Sequence, residues 1–280
     1  MVALEKLEDS TPRRVAVYYS DRSRSISRDD VLPFVNMLKS VGTTEHLDLV
    51  LVSAGGDATA AETMLDVCRK YCTQQLRVVV PLYAKSAATL LALGADEIVM
   101  GESSELGPID AQVYIIQDNQ DQQVSADHFL RAYHAARKDL ASSDPKSVQA
   151  AQIQLALLSP AFLQYCQDLM DFSKDFAGKQ LRKYMFRDEH AQDAALWDQR
   201  IDAIIKNLTS SSTHLLHGRM ITAQDIKEDA DLRYLKVKEL GSTDPYWTHL
   251  TDLLLRTEIV KQTGQLGKML FARDFHLMSG

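Results

Sequence analysis

Leu47-Asp48-Leu49-Val50-Leu51-Val52-Ser53-Ala54-Gly55-Gly56-Asp57 and Arg77-Val78-Val79-Val80-Pro81-Leu82-Tyr83-Ala84-Lys85-Ser86-Ala87-Ala88-Thr89 decide how this chain folds. Each begins as a β-rich apolar run and gives way to a helical pattern, the first through two glycines and the second through a serine. The strand signals at 47–53, 76–83 and 97–100 alternate with helical signals at 58–72 and 86–94. Such alternation implies βαβ units and a mainly parallel sheet. The strands are continuously apolar rather than alternating, as expected when helices cover both faces of the sheet. Two neighbouring strand-to-helix turns can then face one another. One offers bare backbone N–H groups and the other a hydroxyl, which is an arrangement suited to acyl transfer.

Upstream, Arg14-Val15-Ala16-Val17-Tyr18-Tyr19 reads as the first strand. Ser27-Arg28-Asp29-Asp30 supplies an N-cap and an acidic first turn for a helix reaching Lys39 or Ser40, with Gly42 as its stop. Beyond about residue 120 the pattern changes. Helices are expected from Ser125 to Leu140, from Asp144 past Leu158, from Pro160 through Phe172, from Ala191 to Leu208 and from Thr222 to Leu232, with almost no strand signal. The expected organisation is an α/β core over 1–120 and a mostly helical extension over 121–280. The polar stretch Gln117-Asp118-Asn119-Gln120-Asp121-Gln122-Gln123 reads as an exposed loop, with a flap beside the site as the sharper alternative.

The strand–Ala-Gly-Gly–helix–strand–Ala-Lys-Ser-Ala-Ala-Thr order is followed by Ala95-Asp96-Glu97-Ile98-Val99-Met100 and Leu106-Gly107-Pro108-Ile109-Asp110. In these motifs the chain resembles the serine dehydrogenase proteinase family, of the signal-peptide-peptidase A group within the Clp-protease/crotonase fold. The resemblance runs from about Val15 to Gln112 and returns faintly at Thr213-His214 and Ile221-Thr222. It implies a Clp-protease/crotonase-like ββα-superhelix core, a serine peptidase activity on peptide or protein substrates, and homo-oligomers built through C-terminal helices. Relatives usually carry proline before the glycines, where this chain has Ala54.

On this resemblance Ser86 is the nucleophile, although a serine opening a helix is also an ordinary N-cap. Gly55 and Gly56 fit an oxyanion hole, with the N–H of Gly56 joined by that of Ala87. The base is open. The signal-peptide-peptidase group uses a desolvated lysine, for which Lys138 is the candidate. Lys85 is set aside because neighbouring side chains at a strand end point to opposite faces. Clp-type proteases use histidine and aspartate. No histidine occurs between Ala87 and Asp127, and His128 and His134 lack motif context. His214 is the second candidate, with His217 one turn later if that segment is helical. Asp110 could orient a base or cap the turn after Pro108.

Composition bounds these readings. The 280 residues are 45% hydrophobic and 25% charged, enough for a substantial core and unlike a disordered chain. A net charge of −7 argues against a general nucleic-acid binder, and Arg182-Lys183 with Arg187 reads as a solvated helix face. No run approaches a membrane span and the first residues do not resemble a signal peptide, so a cytoplasmic setting is expected. Cys68, Cys72 and Cys166 read as buried thiols rather than a disulfide framework or a metal pair. No metal, nucleotide or other cofactor is called for. Two other functions share these motifs. One is a catalytically degenerate scaffold or peptide-binding protein of the same fold. The other is a crotonase-type acyl-CoA enzyme, for which Glu102 and Glu105 would be the carboxylates.

Overall fold

The two quoted runs form adjacent parallel strands at the centre of a seven-stranded sheet in the computed structural model, which describes residues 2–117, 120–214 and 216–279. The strands are β1 (Arg14–Ser20), β2 (Thr44–Val52), β3 (Cys72–Val80), β4 (Tyr83–Ala84), β5 (Glu97–Gly101), β6 (Glu105–Leu106), β7 (Gln112–Gln117), β8 (Gln120–Ser125), β9 (Val237–Leu240), β10 (Lys268–Ala272) and β11 (Phe275–Ser279). The order across the main sheet is β11-β10-β1-β2-β3-β5-β9, parallel from β1 to β9 and antiparallel at β10 and β11.

Helices α1 (Val2–Asp9), α2 (Val31–Val41), α3 (Ala58–Tyr71) and α4 (Ala87–Leu93) accompany the core strands. They are followed by α5 (Ala126–Asp139), α6 (Pro145–Ala156), α7 (Pro160–Gln180), α8 (Arg187–Gln192), α9 (Ala194–Thr209), α10 (Ser211–His214), α11 (Ala223–Glu228) and α12 (Pro245–Gly264). The apolar strands are buried on both faces. Leu47, Leu49 and Leu51 of β2 join Leu76, Val78 and Val80 of β3 against α2, α3 and α4. Val50, Val52 and Val79 face the opposite way, toward Leu4 and Leu7 of α1 and Trp247, Leu250 and Leu254 of α12. Period-two alternation therefore sorts the strand residues between two apolar layers rather than between core and water. α12 crosses β5 where Gly101 has no side chain, since a Cβ there would sit 2.1 Å from the Trp247 ring.

The C-terminal part is mostly helical, as expected, and it also supplies β9, β10 and β11, which extend the main sheet begun by β1 to β5. Ala16 to Ser20 pair with Lys268 to Ala272, and Met269 and Leu270 are buried. Two expectations about strands are corrected. The strand expected at 76–83 begins at Cys72, immediately after α3, and stops at Val80 because Pro81 removes the next ladder donor. The polar stretch at 117–123 is in large part strand. β7 and β8 pair as a hairpin with Gln112 opposite Ser125 and Tyr114 opposite Gln123, and cross-strand pairing overrides the low strand preference of its glutamines. Asp118 and Asn119, the centre of that stretch, lie outside the described residues.

Candidate active site

The end of β2 and the β4-to-α4 turn are laced together at the carboxyl ends of the parallel strands. Ser53 N–H donates to Tyr83 O at 2.9 Å, and Lys85 N–H donates to Ser53 O at 3.0 Å. Gly55 follows with φ +100°, and a Cβ there would lie 2.7 Å from Lys85 O and 2.8 Å from Ser86 Cβ. Gly56, at φ +139°, is pinned on its other side by the residue 24–27 segment: Ile26 N–H donates to Gly55 O at 2.7 Å and Asp57 N–H to Ile26 O at 2.9 Å. Only glycine meets both the backbone angle and the close approach. Asp57 then caps α3, accepting from Thr59 N–H at 2.8 Å and Ala60 N–H at 3.0 Å.

Ser86 holds φ 50° and ψ −118°, in the region that side chains rarely adopt. Its hydroxyl makes no capping bond to α4, so the plain N-cap reading does not describe it. The strained turn leaves the side chain half-buried beside the glycine turn. Ser86 lines a cavity of about 480 Å³ together with Gly56, Asp57, Leu90, Asp110 and His217. Phe172 of α7 and Tyr114 and Gln123 of the hairpin form more of its wall.

Within that wall His217 Nδ1 lies 2.6 Å from Asp110 Oδ1, and Gln112 Nε2 donates to Asp110 Oδ2 at 2.8 Å. Asp110 is buried and His217 half-buried. Burial works to raise the Asp110 pKa, but the hydrogen bond and charge of His217 outweigh it and hold the carboxyl below the usual carboxylate range. The antiparallel bridge between Leu106 and Ile221 explains the meeting. Asp110 lies four residues after Leu106 and His217 four before Ile221, so the two segments run back to back and bring these side chains opposite one another.

The expected bases lie elsewhere. Lys138 is exposed near the end of α5 and does not line this cavity. His214 is buried on α10, outside the cavity wall, and its burial lowers its pKa. Among the described residues its Nε2 has no hydrogen-bond partner. Lys85 points away from the cavity into a pair with Glu105 at 3.1 Å. The carboxylates weighed for an acyl-CoA reaction, Glu102 and Glu105, border a separate depression with Arg22 and Thr222 and do not face Ser86. His217 carried one usable signal, its place just before Gly218 and the return to Ile221, but the chain between 113 and 210 hid its closeness to Asp110.

The mostly parallel sheet covered by helices on both faces has the Clp-protease-like α/β architecture. Residues 23–154 match the family model of the ClpP-like SDH-type serine proteinases. An uncharacterized protein of Methanocaldococcus jannaschii is 35% identical over 88 residues, covering 31% of this chain and 30% of the relative. A second uncharacterized protein from the same organism is 28% identical over 185 residues, covering 65% of this chain and 50% of the relative. The chain thus spans at most half the length of these curated relatives. Among solved structures, a serine-to-alanine mutant of the 1510-N membrane-bound stomatin-specific protease aligns over 81% of this chain and 96% of its own, at 15% identity and a TM-score of 0.34. Among the described residues no helix is long and apolar enough to cross a membrane.

Proposed function

We propose that this protein is a serine peptidase whose nucleophile is Ser86, whose base is His217 and whose orienting carboxylate is Asp110. The observation that carries the reading is one cavity wall holding Ser86 together with His217, itself hydrogen-bonded to a buried Asp110. With Nδ1–H donated to Asp110, the Nε2 lone pair of His217 is free to take a proton. In the proposed reaction Ser86 Oγ bonds to the scissile carbonyl carbon as its proton passes to His217. The carbonyl π electrons move onto oxygen, where the N–H groups of Gly56 and Ala87 receive the charge. Collapse of that intermediate breaks the C–N bond, and His217 returns the proton to the departing amine. Water, activated by the same imidazole, then hydrolyses the ester and frees Ser86.

Lys138 has no part in this scheme, and His214 acts at most through the segment it shares with His217. Peptide or protein substrates and assembly into homo-oligomers accompany the proposal by analogy with the family. The test is digestion of an unstructured polypeptide mixture by wild-type protein and by folded Ser86→Ala, with products identified by mass spectrometry. New peptides from the wild type alone support the peptidase. Absence of cleavage, together with Ser86 inert toward a fluorophosphonate, would favour a scaffold of the same fold.

A further inference from the structure

Lys85 is a buried cation next in sequence to Ser86, yet the scheme above does not use it. Its ammonium donates to Leu106 O of β6 at 2.9 Å and to Arg219 O at 3.2 Å, and lies 3.1 Å from Glu105 Oε2. Arg219 follows His217 by two residues, and Ile221 exchanges backbone hydrogen bonds with Leu106 at 2.9 and 3.1 Å. One ammonium therefore joins the turn between β4 and Ser86, the strand that leads to Asp110, and the segment that carries His217. The lysine stem runs where Gly107 has no side chain, since a Cβ there would lie 2.6 Å from Lys85 Cδ.

We infer that Lys85 is a positioning residue, a clamp that fastens the His217 segment to β6 and so holds the imidazole at the Ser86 cavity. The inference rests on the reading of Ser86 and His217 as nucleophile and base. A single buried ammonium donates to two carbonyls and faces one carboxylate, so an apolar isostere leaves all three without that partner. Release of the segment displaces His217 while Ser86 and its glycine turn stay in place. Misplacement of a catalytic group by about 1 Å costs on the order of a hundredfold in rate.

The experiment is the rate of fluorophosphonate labelling at Ser86, read by intact mass, for wild type, Lys85→Met, His217→Ala and the double variant. Lys85→Met is expected to slow labelling roughly 30- to 100-fold and to add nothing in the His217→Ala background, because it acts through that imidazole. Gly107→Ala, which crowds the lysine stem without removing charge, is expected to slow labelling in the same direction and decides the matter if Lys85→Met does not fold. Wild-type labelling in folded Lys85→Met, with His217→Ala slow, would overturn the clamp and leave the base assignment standing. An undiminished effect of Lys85→Met in the His217→Ala background would overturn it too, as an action independent of His217. Fast labelling in His217→Ala would instead overturn the base assignment, and the clamp with it.

Discussion

Ser86 is the residue at which this chain departs most plainly from what its backbone would otherwise choose. A serine at φ 50° costs on the order of 1–3 kcal/mol relative to an unstrained turn. Glycine adopts that angle readily, so Ser86→Gly is expected to unfold at a higher temperature than Ser86→Ala, by about 1 kcal/mol of stability, with no serine left to label. Equal melting temperatures would mean that the turn carries no strain. The turns that hold Ser86, Gly55 and Gly56 were legible in the sequence because each ends an apolar run, and such a break is a local signal. The place of His217 on the wall of the Ser86 cavity was not. His217 lies more than a hundred residues downstream, and its meeting with Asp110 depends on the Leu106–Ile221 bridge. Lys138 and His214 satisfied residue type and separation, but Lys138 is exposed on a helix face, His214 is buried, and neither lines the Ser86 cavity.

Among elements, the glycine turn holds the most constrained position. It is clasped between the 24–27 segment and the start of α4, with Gly56 against the backbone of Ile26. A Cβ on Gly56 would meet Ile26 O at 2.3 Å and Ile26 N at 2.6 Å, both backbone atoms that cannot turn aside. Gly56→Ala is therefore expected to cost roughly 3 kcal/mol through crowding and the unfavourable φ. Chemical denaturation of the purified variant measures this directly, and a loss under 1 kcal/mol would contradict the packing described. Strands β1, β2, β3 and β5 were readable because their central runs are apolar and separated by helical patterns. The β7–β8 hairpin was not, since glutamine and aspartate carry little strand preference and the pairing is made across the two arms. The short strand β9 was equally silent: it acquires its identity only beside β5.

Across the whole molecule, the two ends of the chain meet on one sheet. β10 pairs with β1, and α1 packs with α12 over the face opposite α2 and α3. The composition change near residue 120 marks where helices come to dominate, and the sheet is completed further on by β9, β10 and β11. Stability should accordingly respond to acid as one cooperative unit. His214 is buried with its pKa lowered from the ordinary 6.5, so near and below pH 6.5 the unfolded chain binds a proton that the folded chain resists. Its contribution is fully present above pH 6.5 and is lost as pH falls toward its lowered folded value. His214→Gln is expected to show a smaller fall in melting temperature than wild type between pH 7 and pH 5. Parallel curves for the two proteins would show that His214 is not the group being titrated.

The central claim is that Ser86 is activated by His217 under the direction of Asp110. Its most direct test is the fluorophosphonate labelling rate at Ser86 in wild type, His217→Ala and Asp110→Asn, each shown to be folded. The account predicts modification of wild type at Ser86 alone, and a loss of roughly 10³–10⁴-fold when Asp110→Asn leaves the imidazole in the wrong tautomer. Labelling of both variants at the wild-type rate would contradict it.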